Sequence, residues 1–335
     1  MGSVGAFALG GSPFSQRPDG FMTQTPIAYI VFNRPQHTEK TFAVLREQRP
    51  SQLFIIADGP RAGHPTDGEG CAAVRRIVAN VDWPCEVHRK YADSNLGLKK
   101  NVSQGLDWVF SEVERAIVLE DDCVAHPDFF RFCNALLERY VDDERVLAIT
   151  GNNFQNGRLR GEASYYFSKY NHCWGWASWR RAWKHYQGDL PFWLEWSKSE
   201  DWREKMPDPV ERRYWSNIFE RVCAGQIDSW AYPWTASVWY QGGLTATPNV
   251  NLVSNIGFGM DSTHTAAADS PLADMATNAI GELRHPRIIA QDAAADRYVF
   301  DYTMVGRSSR FPYSLLRIPR RAAGFAYRML KRSFP

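Results

Sequence analysis

Short apolar runs alternate with longer stretches of helical periodicity through the first half of the chain. Pro26–Phe32 (PIAYIVF) has the pattern of a strand, His37–Glu47 that of a helix, Leu53–Asp58 (LFIIAD) a strand and Gly68–Asn80 a helix. A strand at Cys85–Tyr91 (CEVHRKY), a helix over about Leu98–Val113 and a strand at Arg115–Asp122 (RAIVLEDD) follow. The run RAIVLEDD lacks polar alternation before its acidic end, as strands covered on both faces do. This βαβα order predicts an α/β fold: a single large domain with a mostly parallel central sheet flanked by helices. Val146–Gly151 (VLAITG) is a further strand-like run, and the Trp-rich stretches after it have no clear place in the order. No internal repeat is apparent.

In sheets of this kind ligands sit beyond the carboxyl ends of the strands. Three polar sets occupy those positions: Asn33-Arg34-Pro35, Asp58-Gly59-Pro60 and Glu120-Asp121-Asp122. Adjacent carboxylates after an apolar run repel each other unless a cation is nearby, and a divalent metal is a natural occupant. The structural alternative is a turn in which Asp121 or Asp122 caps a helix running from Pro127 to Leu137. Arg34 has the planar fork that suits a phosphate, and Asp58 can accept from a base N–H; either could equally be a solvated loop charge. Lys99 and Lys100 open a predicted helix, where the dipole also favours an anion, with a solvated face as the alternative.

The stretch RAIVLEDDCVAHPDFFRFC resembles the E-D-D segment of GT-A-fold glycosyltransferases, family-2-like enzymes among which is N-acetylglucosaminyltransferase I. The likeness extends over most of Pro26–Thr265, with IVFNRP similar to the first strand and its phosphate-contacting Arg, LFIIADG to the strand ending in a base-binding Asp, and NHCWGWASWRRAW to a segment closing the acceptor side. NLGLKKN and NIGFGMDSTHT are more similar still to a bacterial group of glycosyltransferases. The resemblance implies a GT-A (Rossmann-like) fold and transfer of a sugar from a nucleotide-sugar donor, a UDP-sugar in preference to GDP or TDP, to a glycan, lipid-linked or protein acceptor. A hexosyl or N-acetylhexosaminyl transfer with inversion, in polysaccharide biosynthesis, is the expectation. It also implies Mn2+ or Mg2+ held by Asp122, with Asp121 and Glu120 beside it on the ribose or a metal-bound water. Such an ion acts as a Lewis acid on the departing nucleoside diphosphate.

An inverting transfer needs a base near the acceptor hydroxyl. Asp228 in QIDSWAYPW is the candidate; Ala231 stands where the bacterial group often has a second Asp, which leaves Asp228 open to a purely structural reading. Trp174, Trp176, Trp179 and Trp183 fall within ten residues, and more tryptophans follow to Trp239. Most belong to a core, yet sugar rings stack on indoles, and Trp176 and Trp230 are the candidates for the acceptor cleft. His264 is a candidate second metal ligand near Asp261, or a histidine bonded to its own loop, and Gly257 and Gly259 suit a closing lid.

Composition refines the picture at the ends. The chain of 335 residues has net charge +2, but eight Arg or Lys and no acid follow Asp301, which leaves the rest at −6. That balance argues against a nucleic-acid-binding fold. We therefore divide the chain into a lead-in (1–24) without the basic and apolar blocks of a signal peptide, a transferase domain (25–305, donor half to about 150, acceptor half from about 151) and a basic tail (306–335). The tail interleaves Leu, Ile, Phe, Tyr and Met with Arg and Lys, a pattern suited to an anionic membrane surface, although Pro319 and Gly324 interrupt it and a solvated tail is the alternative. Six cysteines without metal spacing fit reduced thiols in a cytoplasm, with the enzyme at most peripheral to the inner membrane face. A nucleotidyltransferase, which typically has a Gly-rich loop absent from VFNRPQHTEK, and a non-catalytic sugar- or nucleotide-binding protein are the competing readings.

Overall fold

A computed structural model describes residues 24–258 and 270–314. In chain order the donor half contains β1 (Ile27–Val31), α1 (Pro35–Gln48), β2 (Gln52–Ala57), α2 (Asp67–Ala79), β3 (Glu86–Tyr91), α3 (Leu98–Glu112), β4 (Arg115–Glu120), β5 (Cys123–Ala125), α4 (Pro127–Arg139) and β6 (Val146–Thr150). The second half contains β7 (Tyr165–Ser168), β8 (Trp176–Trp179), α5 (Arg180–Trp183), α6 (Trp193–Trp196), α7 (Glu200–Lys205), α8 (Pro209–Cys223), α9 (Ala231–Tyr240), β9 (Leu244–Pro248), β10 (Val253–Asn255), α10 (Ala293–Tyr302) and α11 (Gly306–Ser309).

Eight strands form one sheet in the order β3-β2-β1-β4-β8-β6-β9-β7, and β10 and β5 make a separate pair. β3, β2, β1 and β4 are parallel to one another; β8 runs against both β4 and β6, and β7 runs against β9. The sheet is therefore mostly parallel, as the alternation of elements predicts.

Side-chain alternation explains why the apolar runs are unbroken. Ala28, Ile30, Phe54, Ile56, Ala116 and Val118 face one core with Val102, Leu106 and Val109 of α3. Ile27, Tyr29, Leu53, Ile55, Ile117 and Leu119 face the other with Phe42 of α1, Val74 of α2 and Phe129 and Leu136 of α4. β1, β2 and β4 thus bury both faces under helices. The first core continues into a mass of indoles: Trp193, Trp202, Trp215 and Trp239 pack with Phe219 at ring separations between 4.8 and 6.5 Å. Rings of this size supply a core that short helices such as α6 and α7 could not build from aliphatic residues alone.

The RAIVLEDD run ends in the expected acidic turn, but a short strand follows it that the sequence pattern does not predict. β4 stops at Glu120; Asp121 and Asp122 form a turn, and the chain re-enters extended structure as β5, which pairs antiparallel with β10 through Cys123↔Asn255 and Ala125↔Val253. The cap of α4 is His126, whose Nδ1 accepts from the Asp128 N–H at 3.1 Å, so neither carboxylate caps that helix. The basic segment begins in contact with the body: Arg310 pairs with Asp208 at 2.7 Å and Asp301 at 2.9 Å. Among the described residues no helix is long and apolar enough to cross a membrane.

Gly151, just past β6, lies where a Cβ would run into the Val253 side chain and come within 2.9 Å of the Phe129 ring, both fully buried. Gly151→Ala is expected to lower stability by about 1–3 kcal/mol through overpacking, measurable as a shifted denaturant midpoint at constant slope.

Candidate active site at the carboxyl ends of the strands

The register of β1 sets the site. Ile30 lies opposite Glu120 of β4 and Val31 opposite Ala57 of β2, so the residues after β1 emerge between Asp58 and Asp121. The Phe32 N–H donates to Asp121 Oδ2 at 3.3 Å. Two residues on, Arg34 donates through Nη2 to Asp121 Oδ1 and to Asp122 Oδ2, the latter at 3.0 Å. The cation that the adjacent carboxylates require is therefore, in this structure, the guanidinium of Arg34. Asp121 is buried at 3% side-chain exposure, and Asp122 keeps 14%.

One guanidinium does not balance three carboxylates. Burial, followed by the charges of Asp122 and Asp121, pushes Glu120 up to about 8, against the pull of Arg34. Burial also raises Asp121. The site is short of positive charge, and all its donors are hard oxygen atoms of the kind that suit Mn2+ or Mg2+. No group of three or more His, Cys, Asp or Glu side chains is placed to hold a metal among the described residues. One or two carboxylates, with phosphate oxygens and water completing the shell, is the usual arrangement for Mg2+.

The NIGF segment closes over this turn. The Ile256 N–H donates to the Asp122 carbonyl at 2.9 Å, Asn255 Nδ2 reaches Asp122 Oδ1 at 3.4 Å, and Asn255 Oδ1 accepts from the Gly257 N–H at 2.8 Å. A Cβ on Gly257 would overlap the Asp122 carboxylate, so only glycine lets the backbone approach so closely. Asp261 and His264 lie outside the described residues, as does Gly259.

Asp58 is 5% exposed and ties the loop before α3: its Oδ1 accepts from the Gly59 N–H at 2.8 Å and the Leu96 N–H at 2.9 Å, and its Oδ2 from Asn95 Nδ2 at 2.9 Å. Burial raises its carboxyl while these N–H groups lower it. At the other side of that loop Asp228 Oδ1 accepts from the Lys99 N–H at 3.3 Å. The N-terminus of α3 thus faces the Asp228 carboxylate. The Lys99 ammonium pairs with Asp189 at 2.9 Å, and Lys100 is exposed on the helix.

Trp176 and Trp230 are core residues, not a cleft lining. Each is 2% exposed, and they stack on one another with centroids 5.6 Å apart, leaving no indole face for a sugar. Strand alternation explains it, since Trp176 is the first residue of β8 and turns into the first core. Two residues earlier, before the strand and next to Gly175, Trp174 is half-buried and meets Phe258 edge-on at 5.5 Å. Neighbouring Cys173 is pushed up to about 12 by burial and next by the charge of Glu120, which places this segment beside the acidic turn. Trp174 and Phe258 are the aromatic pair at the site; their position at an element boundary was the available signal. A second missed residue is Asp67, fully buried at the start of α2, where it accepts from Asn33 Nδ2 at 2.7 Å and from the Arg61 side chain and N–H. Arg61 holds its carboxyl well below the usual range, and the pair locks the loop after β2 to the loop after β1.

Neither a protein-family model nor a curated protein matches the sequence. Solved structures do. A mannosyltransferase from Pyrobaculum calidifontis in complex with GDP-Man and Mn2+ aligns at TM-score 0.33 and 15% identity over 51% of this chain and 48% of that one, so the match spans about half of its length. A UDP-glucose pyrophosphorylase complexed with UDP-glucose aligns at TM-score 0.33 and 8% identity over 67% of this chain and 90% of that one. Mouse xyloside xylosyltransferase 1 aligns at TM-score 0.35 and 7% identity over 65% of this chain and 84% of that one. Likenesses this distant leave the chemistry to the residues of the site itself.

Two expectations follow from the charge balance. Arg34→Ala, which strands buried Asp121 and half-buried Asp122, is expected to cost about 3 kcal/mol in denaturant unfolding at neutral pH, with part regained when Mg2+ is added. Because the folded value of Glu120 lies above its ordinary 4.5, its ionisation weakens the fold as pH rises from about 4.5 to about 8, and the cost is constant above that. Calorimetry across this window without metal should therefore show a flatter decline of Tm in Glu120→Gln than in the native chain.

Proposed function

We propose that this chain is a GT-A-type glycosyltransferase, UDP-sugar-dependent and inverting, whose donor binds beyond β1, β2 and β4. The observation that carries the reading is the Arg34 bridge to Asp121 and Asp122, with Glu120 behind it: an all-oxygen acidic centre, short of positive charge, at the edge of a mostly parallel sheet where ligands bind.

Asp122, the more exposed of the two aspartates, would hold Mn2+ or Mg2+, with Asp121 and Glu120 beside it. Such an ion, when bound, supplies Lewis-acid neutralisation of the charge on the departing nucleoside diphosphate. Arg34 then acquires a second role, because once its carboxylates have another counter-charge its planar fork is free to take a phosphate oxygen of the donor. Asp58, with the loop it ties, and Asn33, held by Asp67, would shape the base and ribose pocket between β1 and β2. Lys99 and Lys100 stand at the next strand end as further cations for the diphosphate. Trp174 and Phe258 offer the aromatic surface for the acceptor sugar that buried Trp176 and Trp230 cannot. Asp228 would take the proton of the acceptor hydroxyl on leaving its contact with the α3 N-terminus.

That contact is also what favours a second reading, a non-catalytic nucleotide-sugar-binding protein. There Asp228 would serve only as the polar end of α3, consistent with Ala231 at the first residue of α9. A nucleotidyltransferase is disfavoured by the short connection from Val31 to Pro35, which has no glycine.

A thermal-shift screen of UDP, GDP, TDP and CMP with and without Mn2+, on the native chain and Asp122→Ala, tests the proposal. One nucleotide is expected to stabilise the native chain only when Mn2+ is present, by about 2.7 kcal/mol at a hundredfold excess over Kd, and to have no effect on Asp122→Ala. Stabilisation by none of the four would remove the donor site. Metal-dependent binding with neither donor hydrolysis nor transfer would move the binding-protein reading to first place.

A further inference from the structure

A second feature lies at the other edge of the sheet, around β7 and α10. α10 turns Ala295, Asp296, Val299 and Phe300 inward and sends Tyr298 and Tyr302, one helical turn apart, outward, where they stack at 4.5 Å. The Arg158 and Arg160 guanidiniums lie over Tyr298 at 4.7 and 5.7 Å, and Leu159 between them is 70% exposed. Arg307 lies over Tyr302 at 5.6 Å and over Tyr313 at 5.2 Å. Phe311 beside them is 80% exposed and Tyr302 54%.

Half of the large hydrophobic side chains exposed among the described residues (Leu159, Tyr302, Phe311 and Tyr313) are gathered on this stripe, and they alternate with arginines. None of Arg158, Arg160 and Arg307 is paired with a carboxylate among the described residues, whereas neighbouring Arg310 is pinned between Asp208 and Asp301. The stripe leads directly into the segment from 315 onward, which adds further Arg, Lys, Leu, Ile, Phe and Tyr and no acid.

We propose that this stripe docks the protein on an anionic lipid bilayer. The chemistry favours a bilayer over a nucleic acid because the cations alternate with protruding aliphatic and aromatic groups, Leu159 and Phe311 foremost, that gain by entering the headgroup–acyl boundary, while tyrosines suit the boundary itself. Charge complementarity fixes the orientation: the chain up to Asp301 has net charge −6, so an anionic surface repels most of the body and attracts this edge. The inference is independent of the proposed donor chemistry.

Flotation of the full chain with phosphatidylcholine vesicles, with and without phosphatidylglycerol, tests it. Capture is expected with phosphatidylglycerol at low salt, with loss at high salt and little capture by phosphatidylcholine alone. Arg158→Glu with Arg307→Glu, and separately Leu159→Ser with Phe311→Ser, should each reduce partitioning by roughly tenfold or more at unchanged Tm. Arg76→Glu with Arg89→Glu, on the far side of the molecule, should not. Should the charge reversals lower Tm, Arg158→Lys with Arg307→Lys is expected to keep both fold and binding. Equal capture by neutral vesicles, stripe variants that bind as well as the native chain, or retention on single-stranded DNA without vesicle binding would each overturn the proposal.

Discussion

Three consecutive carboxylates at the end of a buried strand repel one another in a poorly polar setting, and the carboxyl edge of this sheet is organised around relieving that repulsion. Arg34 reaches both aspartates because β1 pairs with β4 in the register that sets Ile30 against Glu120. Helix α1 begins immediately afterwards, at Pro35, and its Thr41 hydroxyl donates to the Asp121 carbonyl. The β5–β10 pair brings Asn255 and the Ile256 N–H to Asp122 from the opposite side. Sheet register, helix start and loop closure thus converge on one turn. The relief is incomplete, since one guanidinium faces both aspartates and their charges add to burial in raising Glu120, and an incompletely neutralised acidic centre is the physical reason to expect a cationic ligand there.

Strands β1, β2 and β4 were legible because each is a continuous apolar run whose two faces are both buried. Period and length then agree with the structure to within a residue or two. The counter-charge of the acidic turn was not legible, because Arg34 lies more than eighty residues away and its partner is set by sheet order, which no local pattern encodes. Short elements hid for a related reason: β5 and β10 have three residues each, and neither has a meaning until the other is beside it. Asp67 escaped notice because an acid in the first turn of a helix is ordinary; only burial with Arg61 and Asn33 makes it a lock between two loops.

The tryptophans show where counting residues of one type misleads. Indoles of the second half carry the core that its short helices need, and their polar atoms are secondary: the Nε1 groups of Trp176, Trp215 and Trp234 have no partner among the described residues. Where charge enters this core it is paired, with the Lys169 ammonium on Glu211 at 2.8 Å and over the Tyr170 ring, and with Tyr170 donating to the same carboxylate. Such a pair is weak evidence of stability but leaves few alternative packings. Trp174, by contrast, precedes the strand beside Gly175 and is only half-buried.

The order of the sheet separates two kinds of surface. Strands β3, β2, β1 and β4 end at the acidic centre, while β7, at the opposite edge, adjoins α10 and the Arg–Tyr stripe. Between them stands β8, whose entry segment, Asn171–Gly175, lies beside the acidic turn. A body of net negative charge with a row of arginines along one edge has an electrical polarity, and that polarity would turn the same edge toward any anionic surface. The soluble donor proposed for the acidic centre would need no such orientation, since it would arrive by diffusion. An acceptor confined to a surface does need it, because only an enzyme held with a fixed edge down presents its acceptor side at a constant height. Taken together, the two proposals describe one arrangement, in which the donor would arrive from solution and the acceptor from the surface that the β7 edge would face.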